Sequence, residues 1–190
     1  MFCTKEKCIT IEEIKGLEEY LTQFPVFEYQ LIESRELFFE PRVRIICQQE
    51  CERFGTTWAC PPGVGTLEEC ERRCLAYPYG FFFSSVAEVR DVLDMQELLA
   101  TRDAHEALTG EIGAYIQKQG YDCYILSTES CDICETCAYP DEPCRFPDRM
   151  HPCLESHGVV VSDLVERHQM TYSLGGNTVL WFSLILFREA

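Results

Sequence analysis

The sequence predicts an α+β fold in which a mixed sheet is flanked by helices and two cysteine-rich loops connect the elements. Helical and strand patterns follow one another without the regular strand–helix–strand alternation of a parallel sheet. The cysteines gather in the connections, where binding residues usually lie. A chain of 190 residues suits one domain. We therefore expect residues 1–190 to form a single unit with cysteine sites at 47–74 and 131–153.

Three segments carry a helical pattern. Two of them open with a capping box, in which a threonine and the glutamate three residues later cap each other's backbone N–H groups. The third is long; an interruption near Gly110 stays open, and Gly120 is placed to end the helix. The predicted helices run from Thr10 to about Gln23, from Thr66 to a residue before Pro78, and from about Ala87 to Gln119.

Six segments carry a strand pattern, either alternating or short and apolar between turn residues. The last two flank two glycines and an asparagine and would form a hairpin. A short helix or turn is expected from Ser162. The predicted strands are Glu40–Gln48, Phe81–Ser84, Tyr121–Ser127, Gly158–Val161, Met170–Leu174 and Thr178–Phe187.

The charge of the chain excludes two classes of partner. It has 16 Lys and Arg against 32 Asp and Glu, a formal net charge of −16. Binding to nucleic acid or to an anionic membrane surface needs clustered cations, so neither is expected. No apolar run approaches the roughly 18 residues of a membrane span, and the first residues lack the features of a secretory signal. The expected location is the cytoplasm.

Thirteen cysteines are the most informative feature of the composition. An odd number without a secretory signal argues against a disulfide framework, because the cytosol keeps thiols reduced. So many free thiolates would be reactive, and metal binding is the simplest explanation for them.

The most specific cysteine pattern contains Cys131, Cys134, Cys137 and Cys144. On a loop, three cysteines at two-residue intervals reach three corners of a cubane, and a later cysteine beside a proline closes the fourth, as in bacterial ferredoxin loops. The alternative is a structural zinc site. Zinc usually takes two separate pairs of cysteines, so the pattern favours a [4Fe–4S] cluster over zinc.

A second pattern contains Cys47, Cys51 and Cys60, which precedes two prolines. These are three convincing ligands for a second [4Fe–4S] cluster, and the fourth is open. Cys70 and Cys74 are one helical turn apart, and Cys70 is slightly favoured because it lies nearer the helix N-terminus, whose dipole stabilises a thiolate. A non-protein ligand in the fourth position remains an alternative. No role is assigned to Cys3, Cys8, Cys123 or Cys153.

Two motifs together resemble a known family. They are Cys47-x3-Cys51-x2-Phe-Gly-x2-Trp-x-Cys60-Pro-Pro and Cys131-x2-Cys134-x2-Cys137-Ala-Tyr-Pro-x2-Pro-Cys144-Arg-Phe-Pro. Both are similar to motifs of an uncharacterised family of predicted metal-binding proteins, the domain of unknown function 2284, found mainly in anaerobic bacteria and archaea. The tail from Met150 to Val161 also resembles that family, although Cys153 stands where serine is expected. The resemblance implies metal binding in an anaerobic setting and names no reaction.

Three functions follow from these patterns. The first is electron transfer by two all-cysteine clusters, with a redox partner whose basic docking surface meets the acidic chain. The second is an enzyme in which the first cluster has an open iron that acts as a Lewis acid or redox catalyst. The third is a zinc-stabilised protein-interaction module. The sequence shows no nucleotide-binding loop or nucleophile motif that would name a substrate.

Overall fold

A four-stranded antiparallel sheet forms the centre of the computed structural model, which describes Ile14 and residues 16–190. The strand order is β1-β2-β4-β3, and all three pairings are antiparallel, so the sheet expected to be mixed is antiparallel. The strands are β1 (Val26–Glu33), β2 (Tyr79–Glu88), β3 (Tyr121–Leu126) and β4 (Thr178–Glu189). The helices are α1 (Leu17–Leu21), α2 (Pro41–Glu50), α3 (Leu67–Leu75), α4 (Met95–Lys118) and α5 (Val161–Arg167), with 3-10 turns at Ser34–Glu36 and Glu155–His157. The α+β class with flanking helices is confirmed.

The two faces of the sheet bury two separate cores. Phe81 and Phe83 of β2 point to one face, where α1 and α4 cover them. Phe82 points to the opposite face, because successive side chains of a strand alternate. That second face is covered by α3, α5 and the segment around Leu154. Cys74 belongs to this second core, as does Leu154, the neighbour of Cys153 in the chain.

The strand predicted at Glu40–Gln48 is wrong, because this segment forms helix α2. Residues 40–48 alternate, but Pro41 occupies the first helical position and the Glu40 side chain accepts a hydrogen bond from the Arg42 N–H. Proline and an acidic cap at these positions both favour a helix start. No residue of α2 is buried, so the helix lacks the apolar stripe by which helices are recognised.

The prediction of a C-terminal hairpin is also wrong. Thr178–Glu189 forms the central strand β4 and pairs with β2 and β3, whereas Met170–Leu174 forms no strand. The strand expected at Gly158–Val161 is reduced to one bridge between Phe39 and Val159. Long-range pairing, which a local pattern does not contain, decides both segments.

Several local predictions are confirmed. Thr66 and Glu69 form the capping box of α3, and Phe81–Ser84 and Tyr121–Leu126 lie within β2 and β3. Helix α4 continues through Gly110, although it begins later than expected, with Asp94 as its cap. The capping box at residues 10–13 lies outside the described residues. None of the helices in the described part of the chain is long and apolar enough to cross a membrane.

A buried polar cluster joins α4 to the sheet. The His105 ring lies between two hydroxyls, 2.7 Å from Ser85 Oγ and 2.7 Å from Ser183 Oγ. Ser183 Oγ also lies 3.1 Å from Ser127 Oγ, at the end of β3. Burial lowers the pKa of His105 to about 4, so the imidazole is neutral at pH 7 and its two nitrogens serve one as donor and one as acceptor.

Two glycines of α4 provide a matched test of how closely this helix packs. A Cβ at Gly110 would meet only His151 Cε1 at 3.9 Å, whereas a Cβ at Gly113 would collide with Ile125 Cδ1 of β3. We expect Gly110→Ala to raise the free energy of unfolding by about 0.5–1 kcal/mol, and Gly113→Ala to lower it by about 1–2 kcal/mol because Ile125 must move. Denaturant unfolding would measure both, and equal gains would contradict the close contact.

The neutral state of His105 predicts a loss of stability in acid. The unfolded imidazole binds its proton near pH 6.5 and the folded one near pH 4, so the unfolded state holds more protons between these values and stability falls as the pH drops below 6.5. His105→Gln removes this group. Between pH 7.5 and 5.5 we expect the variant to lose about 1 kcal/mol less than the wild type in denaturant unfolding. Identical losses would contradict this.

Candidate metal centres

Four cysteines from three separate segments line one cavity of about 500 Å³, here called the first centre. Cys47 lies on the last turns of α2, and Cys51 caps the helix with its N–H donated to the Cys47 carbonyl. Cys60 follows on the next loop, and Cys153 arrives from more than ninety residues further on. Burial raises the pKa of the Cys47 thiol, and the neighbouring Cys51 and Cys60 raise it further.

The loop between Cys51 and Cys60 is held closed by its own backbone. Gly55 adopts a left-handed conformation with φ of 70°, which suits glycine. Its N–H donates to the Pro61 carbonyl at 2.8 Å, and the Val64 N–H donates to the Cys60 carbonyl at 3.0 Å. These bonds fold the loop back on itself, so that the buried Cys60 side chain faces the cavity between α2 and residues 128–130.

Cys153 is the residue that sequence analysis missed. The Ser127 N–H donates to the Pro152 carbonyl at 2.9 Å, and the Leu154 N–H donates to the Ser127 carbonyl at 3.2 Å. This short parallel bridge fixes Cys153 beside the end of β3. Burial raises the pKa of the Cys153 thiol well above its usual value, and the Ser156 N–H, which donates to Cys153 Sγ at 3.2 Å, opposes part of that rise. Only its place in the tail shared with the family would have marked it.

Cys70, the fourth ligand predicted from the sequence, lies outside this cavity. Its sulfur is fully buried against Arg44 Nη1 at 3.6 Å and the Val64 carbonyl at 3.7 Å. Cys74 is next to it on α3, and burial raises the pKa of its thiol to about 12. The structure therefore brings Cys47, Cys51 and Cys60 together with Cys153, and leaves Cys70 and Cys74 in the interior under α3.

The second centre contains the four cysteines that the sequence groups together. A cavity of about 190 Å³ is lined by Cys131, Cys134, Cys137 and Cys144. Burial raises the pKa of the Cys131 thiol, and the other three sulfurs lie close enough to raise it further. These residues belong to a stretch without helix or strand, as expected for a loop that wraps around its ligand.

Two hydrogen bonds hold the shape of this loop. The Trp58 Nε1–H donates to the Glu142 carbonyl at 2.9 Å, and its ring meets Tyr139 edge-on. The Arg145 guanidinium donates to the Thr136 carbonyl at 2.9 Å. The first contact ties the loop to the Trp58 segment, and the second brings the part of the chain beside Cys144 back to the part beside Cys137.

The two centres share a wall. Thr57, Trp58 and Ala59 line the second cavity, and the next residue, Cys60, lines the first. Arg53 contacts both cavities and donates to the Cys131 carbonyl at 3.1 Å. The same arginine pairs with the Asp132 carboxylate at 2.6 Å, which lowers the pKa of that carboxyl. One loop thus belongs to both sites.

The comparison with known families agrees with this geometry. Residues 30–187 match the family described as predicted metal-binding protein, DUF2284. The chain belongs to the DUF2284 family. No curated protein matches it, and no solved structure does. The match covers both four-cysteine cavities of this DUF2284 protein, so the family description and the two sites refer to the same part of the chain.

The chemistry of these side chains limits what each cavity would hold. Among Ile14 and residues 16–190, no group of three Cys, His, Asp or Glu side chains is arranged to bind a single metal ion. The cysteines of the DUF2284 protein line cavities of about 500 and 190 Å³. Thiolates are soft donors, which bind zinc, copper(I) or iron–sulfur clusters in preference to hard cations.

The remaining cysteines lie apart from both cavities. Cys123 is on β3 and packs against the core under α4, and burial raises the pKa of its thiol to about 12. Cys3 and Cys8 lie outside the described residues.

Alanine variants at three cysteines would decide which residue completes the first centre. We expect Cys153→Ala to lose about as much bound metal as Cys47→Ala, because each removes one sulfur from the same cavity. Cys70→Ala is the matched control and should retain the wild-type metal content. Elemental analysis of anaerobically purified protein measures this, with circular dichroism to verify folding. Metal loss in Cys70→Ala but not in Cys153→Ala would contradict this assignment.

Proposed function

We propose that this DUF2284 protein is an iron–sulfur protein that binds one [4Fe–4S] cluster in each four-cysteine cavity and acts in electron transfer. The observation that supports this most strongly is the shared wall, in which residues 57–59 line the second cavity and the next residue, Cys60, lines the first. A [4Fe–4S] cluster accepts and releases one electron at a time. Two such groups separated by a single loop would exchange electrons within the chain.

The donor sets favour clusters over zinc. Each cavity offers four cysteines and no histidine, and the second has the closely spaced triplet typical of ferredoxin loops. A pair of separate zinc knuckles would place two cysteines on each of two turns. The second loop instead spreads its cysteines along fourteen residues, from Cys131 to Cys144.

Cys153 also bears on the choice between a carrier and an enzyme. With Cys153 as fourth ligand, the first cluster would have cysteine at every iron and no open position for a substrate. This favours electron transfer over a Lewis-acid or redox catalyst with an open iron, which stands as the second candidate. A zinc-stabilised interaction module is the third, and the spacing of the second cysteine loop argues against it.

The surroundings of the first centre suit a protein partner. Cys51 is exposed, and so are Ile45 and Ile46 on α2 beside it. A partner that docks there would approach the first centre closely. The formal charge of −16 would attract a redox partner with a basic surface and raise its association rate at low salt. We place this exchange in the cytoplasm, where thiols stay reduced.

The first test is metal and sulfide analysis of protein purified without oxygen. We expect about eight iron and eight acid-labile sulfide per chain, with a brown absorption band near 400 nm that dithionite bleaches. Cys131→Ala should remove about half of the iron, because it opens only the second centre. About two zinc per chain without a visible band would contradict the proposal and support the interaction module.

A further inference from the structure

Ser130 contacts a cysteine of the first centre and directly precedes the first cysteine of the second. Its side chain is 7% exposed, and its Oγ lies 3.1 Å from Cys60 Sγ in the first centre. The next residue in the chain is Cys131, the first cysteine of the second centre.

The hydroxyl of Ser130 has two neighbours, and a metal at Cys60 would decide its orientation. Without metal, the Cys60 thiol donates to Ser130 Oγ. A metal-bound thiolate has no proton and only accepts hydrogen bonds, so the Ser130 O–H must then turn towards Cys60 Sγ. Thr57 Oγ1, 3.3 Å from Ser130 Oγ, has a hydroxyl of its own to donate to the freed lone pair. Every group in this chain of three then has a partner.

Two arginines hold the backbone that carries this hydroxyl. Arg102, which is itself buried, donates to the Ser130 carbonyl at 3.5 Å, and Arg53 donates to the Cys131 carbonyl at 3.1 Å. Both guanidiniums also contact the Asp132 carboxylate. The backbone at residues 130–131 is therefore held from the side of α4 and from the side of the first cysteine loop.

We propose that Ser130 is a positioning residue that sets the reduction potential of the first centre and connects it to the second. A hydrogen bond to a ligand sulfur withdraws electron density from the cluster and stabilises its reduced, more negative state. The first centre therefore has a higher potential with Ser130 than without it. The same bond completes a path from Cys60 Sγ through the Ser130 side chain and the following peptide to Cys131. This inference rests on the proposed iron–sulfur function.

The test is a redox titration followed by electron paramagnetic resonance on the anaerobically purified protein. The signal of the first centre is the one lost in Cys47→Ala. We expect Ser130→Ala to lower the midpoint potential of that signal and to leave the potential of the second centre unchanged, because the peptide next to Cys131 stays intact. Ser130→Thr keeps the hydroxyl and should restore most of the wild-type potential.

Ser84→Ala is the matched control. Its hydroxyl is buried in β2 and has no hydrogen-bond partner in the described part of the chain, so its removal should change neither potential. An unchanged first potential in Ser130→Ala, or equal shifts of both centres, would overturn the proposal for Ser130 while the iron–sulfur assignment stands. A wild-type protein without iron and without a resonance signal would overturn the proposed function, and this inference with it.

Discussion

The short bridge between Ser127 and the segment around Cys153 is the interaction on which both centres depend. Two backbone hydrogen bonds join Ser127 to Pro152 and Leu154, and the Ser127 hydroxyl is anchored to Ser183 in the centre of the sheet. Ser127 also ends the strand from which the second cysteine loop departs. One buried residue therefore ties that loop, and the segment that brings Cys153 to the first cavity, to the centre of the sheet.

The consequence is an arrangement in which the sheet acts as a scaffold and the chemistry lies in loops at its edge. Ser183, which contacts the Ser127 hydroxyl, also contacts the His105 ring of α4. The backbone leading to Ser130 is therefore connected through the buried polar cluster to α4. Arg102 extends this support from α4 to the Ser130 carbonyl. Preorganised loops of this kind suit electron exchange, because little structure has to move when the charge of a bound group changes.

The sequence predicts the second centre far better than the first, and the reason is physical. Cys131, Cys134, Cys137 and Cys144 lie on one short loop, so their spacing alone brings them together. The first centre combines the end of α2 with Cys153, and this depends on strand pairing at Ser127 that no local pattern contains. The same limit explains β4, whose partners β2 and β3 are distant in the chain, whereas α3 follows from its own capping box. Strand β1, which the sequence analysis did not identify, is an edge strand with a half-exposed pattern.

The most direct test of two separate four-cysteine centres is a crystal structure of the anaerobically purified protein with anomalous scattering data collected at the iron edge. The account predicts two iron peaks. One lies among Cys47, Cys51, Cys60 and Cys153, the other among Cys131, Cys134, Cys137 and Cys144, with Ser130 between them. A single peak, or a peak beside Cys70 and Cys74 under α3, would contradict it.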